Sequence, residues 1–67
     1  MAKKLPYVTN GLRYETILDY NQNMALYGVK IEDVREWKLK LKKAGAVRFR
    51  VVKNEWGKAI ICFKWIG

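Results

Sequence analysis

Ten of the chain's fourteen lysines and arginines lie in its second half. From Met1 to Val34, four basic residues (Lys3, Lys4, Arg13, Lys30) meet four acidic ones (Glu15, Asp19, Glu32, Asp33). From Arg35 to Gly67, ten basic residues meet two acidic ones, Glu36 and Glu55, a balance of +8. A surface that is merely kept soluble mixes its signs. A one-signed half creates a one-sided field, and the commonest polyanion to meet it is nucleic acid. The candidate binding residues are Arg35, Lys38, Lys42 and Lys43, followed by Arg48, Arg50, Lys53, Lys58 and Lys64. An ordinary solvated face is the competing explanation for any run of charge. Repetition of the bias in two successive elements weighs against it.

Other reactive groups are few. The chain has no histidine and one cysteine, so it can build neither a four-ligand zinc site nor an internal disulfide. It carries no glycine-rich phosphate loop, and its carboxylates are scattered; Glu15 and Asp19 read as ordinary surface. An enzyme is therefore not expected, and no cofactor or metal is implied. Cys62 falls opposite Arg50 in a strand pattern. A nearby cation lowers a thiol pKa, but a strand cysteine is ordinarily inert packing. Trp56 falls in a turn. Its ring either folds back on a strand, wedges or stacks into nucleic acid, or anchors in a protein pocket.

The elements that position these residues follow from periodicity. Met1–Lys4 is expected as a basic, mobile tip. Leu5 to Thr9 is available as a short extended segment, and Pro6 restricts it to a sheet edge. Asn10-Gly11 signals a turn, with Thr9 or Asn10 able to cap a following helix. Leu12 to about Tyr27 shows helical spacing through Tyr14, Ile17, Leu18, Asn21, Met24 and Ala25, weakened at Asn21-Gln22-Asn23, with Gly28 as a stop. A second helix carries the stripe Ile31, Val34, Trp37, Leu41 and Ala44. It has Glu32 and Asp33 in its first turn, Lys40, Lys42 and Lys43 in its last, and Gly45 as its end.

The remainder is a hairpin whose register can be derived. Asn54-Glu55-Trp56-Gly57 fits a type I turn with a glycine bulge, pairing Asn54 with Lys58. Counting outward pairs Val51 with Ile61, Phe49 with Phe63 and Val47 with Trp65 on an apolar face. The other face pairs Val52 with Ile60, Arg50 with Cys62 and Arg48 with Lys64. A slip of one residue would bring Lys64 opposite Val47 in the core, so the pattern selects its own register.

The expected fold is one α+β domain over residues 1–67, with two helices packed on a C-terminal β-hairpin. Leu5–Thr9 could supply a third, N-terminal edge strand. The expected core is Ile17, Leu18, Met24, Val34, Trp37, Leu41, Val47, Phe49, Val51, Ile61, Phe63 and Trp65. No stretch is long and apolar enough to span a bilayer. A single cysteine and no export signal point to a cytoplasmic, reducing location.

Leu41-Lys42-Lys43-Ala44-Gly45-Ala46-Val47 resembles the end of a winged helix-turn-helix recognition helix, where Leu-x-x-x-Gly precedes two aliphatic residues and a basic hairpin. Lys53 to Lys58 resembles a wing tip, and Val34 matches the buried residue early in that helix. The family's first helix has no room before Leu5, and the resemblance covers about the last 40 residues. It implies duplex DNA as the partner and a small transcriptional or recombination regulator, of a kind common in phages, plasmids and viruses. A missing first helix would leave Tyr20, Met24 and Tyr27 uncovered, which implies a homodimer through the 12–27 helix. The alternative function is a small basic inhibitor or adaptor that binds an acidic site on a host protein through the hairpin and Trp56.

Overall fold

The computed structural model describes residues 5–8, 11–19 and 21–66. It contains strands β1 (Arg13–Asp19) and β2 (Gln22–Lys30), a 3-10 turn (Ile31–Asp33), helix α1 (Val34–Lys43), and strands β3 (Val47–Lys53) and β4 (Lys58–Lys64). The strands form one antiparallel sheet in the order β1-β2-β4-β3, so β1 and β3 are its edges. The α+β class holds, with one helix where two were expected.

The segment expected as the 12–27 helix is the β1–β2 hairpin. Tyr14 pairs with Leu26 and Thr16 with Met24 on one face, while Arg13 pairs with Tyr27 and Glu15 with Ala25 on the other. The period is two, not 3.6. Tyr14, Thr16, Ile17, Tyr27 and Val29 are residue types that suit a pleated surface. Asn21, where the helical pattern weakened, holds φ +68 in the turn, a conformation asparagine tolerates. Gly28 stops no helix: it holds φ +84 where the β2–β4 pairing slips between Leu26 and Val29. The 12–27 helix through which a homodimer was expected does not form. Met24 packs against the core, and Tyr27 lies under the Arg13 guanidinium at 5.1 Å. Tyr20 lies outside the described residues.

Helix α1 forms, but it starts at Val34: Ile31, Glu32 and Asp33, expected in its stripe and first turn, form the 3-10 turn before it. Trp37 and Leu41 are its buried residues, and Lys40, Lys42 and Lys43 sit at its C-terminal end. It closes on Gly45 at φ +98. The Ala46 N–H donates to the Leu41 carbonyl at 2.9 Å and the Gly45 N–H to Lys42 at 3.0 Å, the paired bonds of a glycine C-cap.

The second hairpin keeps its derived turn and half of its derived register. The Asn54 N–H donates to the Lys58 carbonyl at 2.9 Å. The Asn54 side chain accepts from the N–H groups of Trp56 and Lys58 at 2.9 and 3.0 Å. Val51↔Ile61, Val52↔Ile60 and Arg50↔Cys62 pair as derived. Beyond Arg50 the ladder slips, and Val47 pairs with Lys64 instead of Trp65. Arg48, with φ +57, sits within this slip and does not pair with Lys64. A bulge absorbs one residue and turns the following side chains, so Val47 is 51% exposed. Phe49 and Phe63 are not ladder partners, yet their rings meet at 6.3 Å. The Asn23 side chain continues the sheet in place of a backbone. It accepts from the Trp65 N–H and donates to the Trp65 carbonyl, both at 2.8 Å.

Leu26, Val29, Ile61 and Phe63 form the sheet's contribution to the core, under Trp37, Leu41 and Ala46. Of the expected core, Leu18 is exposed at the first hairpin, and Ile17 is half-buried outside the cluster. Leu5 to Val8 adds no strand. The segment is fixed by the Tyr14 hydroxyl, which donates to the Pro6 carbonyl at 2.7 Å, and by Leu5 and Val8 packing on the core. Met1–Lys4, Thr9 and Asn10, to which a tip, a strand end and a cap were assigned, lie outside the described residues.

Candidate nucleic-acid interface

Helical geometry places Arg35, Lys38 and Lys42 along one flank of α1, at steps of three and four residues. That flank borders edge strand β3, since Arg35, Lys38 and Lys42 line one groove with Phe49 and Lys53. Phe49 and Lys53 project from the same side of β3. Between helix and strand runs an open groove of about 600 Å³. Arg35, Lys38, Lys42 and Lys53 form its rims, Val34 and Phe49, packed on the core, lie with Ile31 at its floor, and Leu39, on the side of α1 away from Trp37 and Leu41, stands at its outer edge. No acidic side chain lines it. The Lys38 ammonium stands 6.0 Å above the Phe49 ring.

A second hollow of about 470 Å³ adjoins the first, since Ile31 lines both. Lys30, Glu32, Trp56, Gly57 and Lys58 complete it. The Ile31 N–H donates to the Gly57 carbonyl at 3.3 Å and ties the hairpin turn to the 3-10 turn. Trp56 is 79% exposed, so its ring does not fold back on the strands.

The sequence-derived site residues thus separate into groups. Arg35, Lys38, Lys42 and Lys53 meet in the groove, and Trp56 and Lys58 meet in the adjoining hollow. Lys43 is exposed on α1 outside both, and Arg48 is exposed in the bulge. Arg50 and Lys64 lie on the opposite sheet face, with Arg50 3.7 Å from Asp19. Sequence reasoning passed over Lys30, Ile31 and Leu39 as site residues. Leu39 carried a signal: it is apolar, lies off the α1 stripe and is flanked by lysines.

On that opposite face, burial pushes the Cys62 thiol above its ordinary pKa, Arg50 pulls it down, and Asp19 pushes it up. Burial wins, so the cation opposite Cys62 does not make it a reactive thiolate. Tyr14, on the inner face and edge-on to Phe63, is raised by burial to about 12. Among the described residues no three His, Cys, Asp or Glu side chains cluster as metal ligands, and no helix is long and apolar enough to cross a membrane.

No family model matches the chain, and no curated protein or solved structure is significantly similar to it.

Proposed function

We propose that this chain is a nucleic-acid-binding module, in the cell a small regulator acting on DNA. It holds phosphates along the groove between α1 and β3. One observation carries the reading: Arg35, Lys38 and Lys42 from α1 and Lys53 from the far end of β3 line one groove with no acidic side chain among them. Helix, sheet edge and turn all bring positive charge to the same side, as a polyanion site requires. The reading keeps the basic hairpin of the winged-helix resemblance. It does not use helix-turn-helix docking, because α1 has no partner helix among the described residues.

Salt dependence tests it. Neutralising about four phosphates gives a slope of log affinity against log salt near −3 to −4. Affinity should then fall by about two orders of magnitude between low and physiological salt. A flat salt dependence, or no association at low salt, would remove nucleic acid as the partner.

One feature favours a second reading. Trp56 stands exposed beside Lys30 and Lys58, as an aromatic anchor within a basic rim does. In that reading the chain caps an acidic site on another protein. Capture of such a protein that persists after nuclease treatment and is lost in Trp56→Ala would favour it over nucleic acid.

A further inference from the structure

We infer that the groove takes a single strand: unpaired DNA or RNA lies between α1 and β3, its phosphates on the cationic rims and its bases against the apolar floor and Trp56. This rests on the nucleic-acid reading above and narrows it. A duplex turns its phosphates outward and keeps its base faces stacked inside. It would meet the rim cations, but it has no apolar face to offer the floor. A single strand offers both, and proteins that hold single strands combine a cationic groove with exposed aromatic platforms.

Three features of the surface match that chemistry. Apolar side chains stand open within the most basic part of the molecule, Ile31 38% exposed at the floor and Leu39 56% exposed at the outer edge. Apolar surface left open between lysines gains nothing from a phosphate but does gain from a base face. Next, the groove and the hollow at Trp56 adjoin, since Ile31 lines both. Lys53 lines the first and Lys30 and Lys58 the second, and Glu32 is the one acidic residue lining either hollow. Finally, Trp56 is presented on a fixed support. The Asn54 side chain braces the turn by accepting two N–H bonds, and Gly57 is bonded to Ile31. An exposed indole on a braced turn stacks with little further loss of freedom.

The test compares labelled oligonucleotides of about 12 nucleotides, within the site size of single-strand grooves. They are presented to the full chain as single-stranded DNA, single-stranded RNA, blunt duplex DNA and an abasic strand. Binding is read by anisotropy and by tryptophan fluorescence. At least one natural single strand should bind about tenfold or more tighter than the duplex, and the abasic strand should bind weakly. Trp56→Ala should weaken single-strand binding by about 5- to 100-fold without changing the salt slope, and Trp56→Phe should recover most of the loss. Trp56 is exposed, so these variants keep the fold, which circular dichroism checks. Duplex binding equal to or tighter than single-strand binding, with Trp56→Ala silent, would overturn the single-strand inference and leave the nucleic-acid reading standing. No association with any of the four at low salt would overturn both.

Discussion

Replacing Gly28 by alanine should cost far more than the same change at Gly57, although their backbones are nearly alike (φ +84 and +74). The shared cost is that of an L-residue in the left-handed region, about 1–2 kcal/mol. At Gly57 nothing lies within 4 Å of an added Cβ, so that cost is the whole effect. At Gly28 the new carbon would overlap the Gly11 carbonyl oxygen and sit 3.6 Å from the Leu12 Cα. Main chain cannot swing aside as a side-chain tip can, so the start of β1 must part from β2. That shift draws Leu12 off the core and disturbs the Arg13↔Tyr27 pair. Loss of much of the Leu12 burial adds about 1.5–3 kcal/mol. Gly28→Ala should therefore cost about 3–5 kcal/mol, near the whole stability of a chain this small. At about 4–8 °C per kcal/mol, Gly57→Ala should lower Tm by about 5–15 °C. Gly28→Ala should lower it further or abolish the transition. Thermal and urea unfolding followed by circular dichroism would measure both. Equal costs for the two variants, within about 1 kcal/mol, would refute the close approach of Gly11 to β2. Near-equality is also what a helix capped by Gly28 would give, so the pair separates the hairpin from the helix.

Other outcomes follow from single groups. Burial raises the Tyr14 phenol to about 12 from 10.0, so folding favours its neutral form. That stabilisation is complete below pH 10 and is lost as pH rises through about 12. Ultraviolet titration should show a late tyrosine phase near pH 12, and Tyr14→Phe should remove it. A late phase that survives the substitution contradicts the assignment. Cys62 should alkylate slowly at neutral pH, faster in Asp19→Asn and slower in Arg50→Gln, following the signs of its neighbours; the reverse order would refute that environment. Arg48 holds φ +57, so Arg48→Gly should be neutral or stabilising by up to about 1 kcal/mol, and β-branched Arg48→Val should destabilise by about 1–2 kcal/mol. Equal stability for the two would place the bulge elsewhere.

The second half of the fold was legible because its signals are local and mutually consistent. Helix α1 has an apolar stripe, a charge gradient and a glycine end that agree, and Asn54 and Gly57 specify their turn. The first half was not, because Tyr14, Ile17, Met24 and Ala25 match a helical spacing by running across a hairpin turn. The strand alternation of Tyr14 with Thr16, and of Met24 with Leu26, was present beneath it. Asn21 marks the turn but reads from sequence alone as a weak point in a helix. Gly28 reads as a helix stop because the approach of Gly11 to β2 is a tertiary event. The slip at Arg48 was hidden for the same reason. The Gln22 amide, from the far hairpin, donates to the Arg48 carbonyl there at 2.8 Å. The site was half legible: charge identified the rim cations on α1, but the groove exists only because β3 is an edge strand beside that helix.

The most direct test of the groove compares two charge-matched double variants, each removing two of the eight net positive charges. Lys38→Gln with Lys42→Gln strips the rim. Lys40→Gln with Lys64→Gln removes the same charge from outside the groove; Lys40 lies over the Trp37 ring, and Lys64 is on the opposite sheet face. Nucleic-acid affinity of the rim pair should fall by about tenfold or more at moderate salt, with a salt slope shallower by about 1.5. The outside pair should lose no more than about threefold. Equal losses would mean that binding follows net charge alone, and the groove between α1 and β3 would not be the site.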